Sequence, residues 1–242
     1  MTPSRKYRHL NIQIPPDVSS GPDALLEHSL GFLRRRSVFA SRLHRQAKKI
    51  HEASELYRRT TKEEVRSQVE ACRIIVRRKG CIPRKHQGNA LALVGAAAWH
   101  SLGLLPYREQ FLAALTLLDG KLAEMATGEG KTLSTGLAAT LLAWTGKPLH
   151  VLTSNEYLAG RDALELEPLY SFCNATVGSI APEMKGPERA ATYAKDIVYT
   201  PAKDLLGDFL RDRRLAPGIN INEQLLARDR LSGDSDDEGV SK

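Results

Sequence analysis

The chain has 242 residues, 42% hydrophobic and 26% charged, with a formal charge of +7. That composition belongs to a globular chain long enough to bury a sizeable core, and it excludes collagen-like, mucin-like and wholly disordered proteins. The charge is uneven: residues 1–90 hold 20 Lys and Arg against 8 Asp and Glu, and the remainder holds 15 against 20. The basic first part is therefore expected to attract an anionic partner, whether nucleic acid, anionic lipid or an acidic protein.

Residues 1–23 read as a flexible arm, with Pro15-Pro16 and Ser19-Ser20-Gly21-Pro22 as breakers. The arm has no apolar signal core, so no secretory export is expected. Residues 24–104 read as a basic helical region. Phe39, Leu43, Ala47, Ile50 and Tyr57 follow helical spacing. Thr61 followed by Glu64 is a capping-box signal, and Val65, Val69, Cys72 and Val76 share the face behind it, with Gly80 and Pro83 as the stop. The basic runs Arg34-Arg35-Arg36 and Arg77-Arg78-Lys79 fit solvated helix ends or an anion-binding surface. Few aromatics interleave with them, which argues against stacking on single-stranded nucleic acid. The apolar run Ala90–Trp99 is too short to span a membrane and reads as a buried helix. The odd, wide spacing of Cys72, Cys81 and Cys173 gives no disulfide or zinc pattern and points to a reducing compartment.

From residue 105 the pattern changes. An amphipathic helix over Tyr107–Leu118 leads into an Asp119-Gly120 turn. A short strand is expected over Lys121–Met125, a helix over Leu133–Trp144, and a buried strand over Leu149–Thr153. A helix over Asn155–Cys173 should break near Pro168. A strand over Thr176–Ile180, a helix near Pro187–Ala194 and a strand over Ile197–Tyr199 continue the alternation. Strands alternating with helices imply a parallel sheet covered by helices. Residues 216–242 read as a linker and an acidic tail of disordered composition, with Asp234, Asp236, Asp237 and Glu238 near its end.

The sharpest chemical signal is Met125-Ala126-Thr127-Gly128-Glu129-Gly130-Lys131-Thr132. Gly128 and Gly130 let the backbone take conformations that a side chain forbids, so that several N–H groups converge on phosphate oxygens. A helix opening at Lys131 adds about half a positive charge at its N-terminus. Lys131 is then placed to reach the β- and γ-phosphates, and the Thr132 hydroxyl to ligate Mg²⁺.

These residues resemble the first nucleotide-binding domain of the SecA preprotein translocase ATPases, which have a DEAD-type helicase core. The family's nucleotide-sensing Gln and its run EGKIAEMKTGEGKT are matched by Gln110 and by Asp119 through Thr132 without a gap, including Met125 at the first loop position. Thr153 through Ala163 resembles TVNDYLARRDA, and Asp196 through Asp212 resembles DITYGTNNEFGFDYLRD. The resemblance covers residues 105–212. In the third block Pro201-Ala202-Lys203-Asp204 stands where the family has Thr-Asn-Asn-Glu.

The resemblance implies an α/β fold: an incomplete P-loop (RecA/helicase-like) parallel sheet with flanking helices over residues 105–215, preceded by the all-α N-terminal region. It implies ATP and Mg²⁺ as cofactors. Gln110 would read adenine; Thr127, Gly128, Glu129, Gly130, Lys131 and Thr132 would hold the phosphates and the metal. Thr153, Arg161 and Asp162 would form a motif coupling nucleotide to translocation. The implied partners are a membrane protein-conducting channel and unfolded preproteins, with anionic lipid facing the basic region. The implied location is cytoplasmic and peripheral at the inner face of the plasma membrane. No acidic Asp-Glu-Val-Asp strand end or arginine finger follows, so no complete catalytic set is expected and hydrolysis by the chain alone should be negligible. The sheet is expected to keep an unsatisfied edge, as in a fragment, a short paralogue or one part of a larger assembly. Two other readings stay open: a nucleic-acid-dependent helicase relative, and a non-enzymatic interaction protein that kept the fold.

Overall fold

The computed structural model describes residues 38–215. The arm at 1–23, the run Arg34-Arg35-Arg36 and the tail at 216–242 lie outside the described residues. Four helices come first: α1 (Val38–Arg58), α2 (Lys62–Lys79), α3 (Arg84–Leu102) and α4 (Arg108–Leu118). In α1, Leu43, Ala47, Ile50 and Ser54 form the buried stripe. The capping box of α2 is complete: the Glu64 N–H donates to Thr61 Oγ1 at 3.3 Å and the Thr61 N–H donates to the Glu64 carboxylate at 3.2 Å. Val65, Val69, Cys72 and Val76 face inward, and Gly80 ends the helix in the left-handed region at φ 59°.

Helix α3 is the hub. Residues Ala90–Ala98 are all buried, because α1, α2, α5 and α6 pack around it. A helix apolar on every side is stable only in such surroundings. The fit is closest at Gly95, where a Cβ would lie 2.5 Å from Phe111 Cζ and 2.6 Å from Ser54 Oγ. Helices α1, α3 and α4 approach one another there because position 95 has no side chain.

The α/β part runs α5 (Lys131–Ala143), β1 (Leu149–Thr153), α6 (Glu156–Phe172), β2 (Val177–Ser179), α7 (Gly186–Tyr193), β3 (Ile197–Pro201) and α8 (Ala202–Leu215). The three strands are parallel in the order β1-β3-β2, with Val151 opposite Tyr199 and Ser179 opposite Tyr199 on the other side. The starts of β2 and β3 are tied together, since Thr176 donates its N–H and hydroxyl to Asp196 Oδ2 at 2.9 and 2.7 Å. The result is a small open parallel sheet with flanking helices behind a helical N-terminal region, the incomplete RecA-like α/β fold expected. One core runs from Leu43 to Tyr199. Among the described residues no helix is long and apolar enough to cross a membrane.

Three local expectations are corrected. Lys121–Met125 forms no strand, and Leu122 is 94% exposed. A strand needs a cross-strand neighbour, and no described strand pairs with this segment. Strand β1 is not buried but is an edge strand whose burial alternates, with His150 and Leu152 outward. Helix α6 does not break at Pro168. The proline sits on the exposed face, so the carbonyl one turn back that it cannot serve lies on the solvent side.

Two predictions follow from this packing. Gly95→Ala gains helix propensity of about 1 kcal/mol, yet steric overlap with Phe111 and Ser54 outweighs it. Urea unfolding should show a net loss of roughly 1–3 kcal/mol, and an unchanged or raised midpoint would contradict the packing described. Tyr170 and Tyr199 share a buried hydroxyl–hydroxyl hydrogen bond of 2.6 Å. Burial pushes Tyr199 up to about 12 and raises Tyr170 well above the usual phenol range. The protonated phenols are favoured in the folded state, so their contribution is complete below about pH 10. It is lost as pH rises through about 12. The urea midpoint should therefore fall over that alkaline window, with a smaller slope in Tyr199→Phe.

Candidate nucleotide-binding site

The site is built where a turn, a loop and a helix start follow one another. Gly120, at φ 69°, turns the chain out of α4, and residues 121–126 run irregularly across the surface. Gly128 (φ 88°) and Gly130 (φ 82°) then take left-handed conformations, and α5 opens at Lys131. The first turn of α5 is closed by Ser134, whose N–H and hydroxyl both donate to the Gly130 carbonyl at 3.0 Å. The Lys131 ammonium folds back over the loop and donates to the carbonyls of Met125 and Ala126 at 2.8 and 2.7 Å.

Gln110 fastens this loop to α4. Its Oε1 accepts the Tyr107 N–H at 3.0 Å, capping α4, while its Nε2 donates to the Glu129 carbonyl at 3.1 Å. A Cβ on Gly130 would lie 2.1 Å from that same Nε2. Gly130 is therefore fixed twice, by its φ and by the amide lying against it.

The loop forms one wall of a cleft of about 860 Å³, within the ordinary range for small-molecule sites. Of the residues singled out in the sequence, Gln110, Thr127, Gly128, Gly130, Lys131, Thr132 and Arg161 meet there. Glu129 does not line the cleft: its carbonyl accepts from the Gln110 amide, and the residue borders a separate groove beside α4. Thr153 and Asp162 do not line the cleft. The Thr153 hydroxyl donates to the Asn155 carbonyl at 2.8 Å, next to the Asn155 side chain that caps α6. Asp162 accepts two hydrogen bonds from Arg161, at 2.9 and 2.6 Å, and raises the Arg161 pKa above its ordinary value. Arg161 alone of that motif faces the cleft, braced by its neighbour.

The opposite wall was not legible in the sequence. His51 and Glu55 of α1 and Trp99 of α3 line the cleft. His51 Nδ1 lies 3.1 Å from the Pro106 carbonyl, and the Arg58 guanidinium sits 4.9 Å from the Trp99 ring centre. A polar His–Glu pair at i, i+4 looks like any solvated helix face until tertiary packing turns it towards the loop.

The SecA DEAD-like domain matches residues 29–225. The chain belongs to the SecA family. It is 40% identical over 220 residues to protein translocase subunit SecA 2 of Chlorobium chlorochromatii, covering 91% of this chain and 33% of that protein. It is 36% identical over 200 residues to SecA 2 of Magnetococcus marinus, covering 83% and 31% respectively. Identity reaches 48% over 122 residues with SecA 2 of Thermobifida fusca, covering 50% and 16%. The chain thus spans about a third of the length of the first two relatives.

The dependence of the loop on Gln110 is directly testable. Gly130→Ala should displace the Gln110 amide and free the loop. Deuterium uptake over residues 121–130 should rise, while Ala90–Ala98 in α3 stays protected. Unchanged uptake over 121–130 would show that the loop holds its shape without Gln110.

Proposed function

We propose that this SecA-family chain binds Mg-ATP in the cleft between the phosphate loop and the N-terminal helices. The observation that carries the reading is the loop itself: two left-handed glycines lead into the N-terminus of α5, and the Lys131 ammonium lies over the loop. These groups fit a polyphosphate. The backbone N–H groups and the helix dipole favour an anion, and Lys131 can exchange its two carbonyl partners for phosphate oxygens, a stronger charge-assisted pairing. Thr132 would hold Mg²⁺ through its hydroxyl, Gln110 would read the adenine, and Arg161 adds positive charge to the same cleft. Bound Mg-ATP supplies the phosphoryl group and its metal; this chain's own residues orient it and exclude water from one side.

The relatives' name, protein translocase subunit, supports a role in protein transport. By that likeness the partners are a protein-conducting membrane channel and unfolded preproteins, and the chain works on the cytoplasmic side of the membrane. Thr153 and Asp162 act behind the cleft, Asp162 by positioning Arg161. Hydrolysis by these 242 residues alone is expected at background, since rapid phosphoryl transfer also needs a second carboxylate and an arginine finger.

Titration with a fluorescent ATP analogue and Mg²⁺ tests the reading. Saturable binding is expected for the unaltered chain, with affinity falling on the order of tenfold or more in Lys131→Ala, the loss of a charge-assisted contact. Equal binding by both would remove the phosphate loop from the proposal. Steady-state hydrolysis that Lys131→Ala abolishes would overturn the expectation of background turnover.

A further inference from the structure

The far end of α5 carries a second charged concavity, separate from the cleft. A groove of about 670 Å³ is bordered by Arg42 of α1, Arg84 at the start of α3, Lys121 after α4 and Lys147 after α5, with Asp119 as its one carboxylate among the described residues. Lys121 lies 4.0 Å from Asp119. Among the described residues, Arg42, Arg84 and Lys147 form no ion pair. The Arg77 guanidinium lies against Gly146 beside Lys147, adding positive charge at the margin. The groove differs from a bare basic helix face in two respects: Leu43 and Leu142 give it apolar floor, and Gln46 and Gln87 offer amides suited to a peptide backbone. Since α5 has 13 residues, this groove lies about 20 Å from the phosphate loop along the helix.

The chain itself contains the complementary charge. Asp234, Asp236, Asp237 and Glu238 fall within five residues, interrupted only by Ser235. Asp234 lies nineteen positions beyond Leu215, and an extended chain of that length reaches about 60 Å. The described body is about 40 Å across by the usual size scaling, so the acidic run can reach any point of its surface. We propose that the groove is a docking site for an acidic peptide segment, and that its occupant is the chain's own Asp234–Glu238.

Cys81 makes the proposal measurable, because it is an exposed thiol on the groove's edge, while Cys72 and Cys173 are buried. The full chain carrying Ser235→Cys is treated with a short bismaleimide, and the cross-linked peptides are identified by mass spectrometry. A Cys81-to-235 link within one chain is expected at low salt. It should form at least tenfold more slowly in 1 M NaCl, where screening confines charge attraction to about 3 Å. It should slow equally with Arg84→Glu and Lys147→Glu, and with a neutral tail carrying Asp234→Asn, Asp236→Asn, Asp237→Asn and Glu238→Gln. A rate insensitive to salt and to both sets of charge changes would overturn the proposal, since length alone would then explain the link. So would links formed only between two chains, which would assign the groove to another copy's tail, or no link at all with Cys81 still reactive to a monofunctional maleimide.

Discussion

One side-chain amide ties the glycine loop ahead of α5 to α4. In a parallel sheet, the segment ahead of such a loop is normally fixed by strand pairing, but Lys121–Ala126 has no ladder partner among the described residues. The Gln110 amide replaces that support, bonding α4 through Tyr107 and the loop through Glu129. The arrangement works only because Gly130 leaves room: the amide nitrogen lies where a Cβ would stand. A side chain that also caps a helix cannot move freely, because releasing the loop exposes the cap as well. The loop's position is thereby coupled to the start of α4, and through Phe111 to the packing around Gly95.

That coupling explains why the helical first part is more than an attached module. Helix α3 is buried on all sides, with α1 and α2 packing on it from one part of the chain and α5 and α6 from the other. Phe111 of α4 meets the Gly95 position of α3 and stacks obliquely near His51 of α1, their ring centres 6.2 Å apart. His51 and Trp99 therefore stand in the cleft wall as a by-product of core packing. A ligand between the loop and this wall contacts residues distant in sequence that share one core, and any rearrangement of the loop must be accommodated by the helices facing it.

Much of this was legible beforehand, for physical reasons that differ by element. Helix α2 could be read to its last residue because its signals are local: a Thr-x-x-Glu cap, a four-residue stripe and a left-handed glycine. The left-handed turns leading into α5 could be read because the spacing of Gly128 and Gly130 constrains backbone geometry directly. Strand status could not be read for Lys121–Met125, since pairing depends on a neighbour that the segment's own residues do not encode. The same limit applies to β1: its apolar residues suggested burial, but being at an edge is a property of the whole sheet. Pro168 shows the reverse case, where a strong local breaker is overruled because its missing hydrogen bond falls on the wet side of α6. Nothing in the residues around His51, Glu55 or Trp99 distinguishes a cleft wall from a solvated face.

Basic side chains among the described residues fall into separate physical roles. Arg77, Arg78 and Lys79 occupy the last turn of α2, where they oppose the negative end of its dipole. Arg73 is spent on Glu70, lowering the Glu70 carboxyl below its usual range through a two-pronged hydrogen bond. Lys147 beyond the end of α5, with Arg42 and Arg84 across the groove, likewise faces a helix C-terminus, but the balance there is different. A helix end carries only about half a negative charge, and Asp119 adds one more, shared with Lys121. With the Lys121–Asp119 pair set aside, Arg42, Arg84 and Lys147 bring three positive charges to the groove, so more than two remain once the helix end is counted. Helix capping alone therefore does not account for the cations gathered beneath α5, whereas an acidic segment of three or four carboxylates would bring the groove close to neutrality.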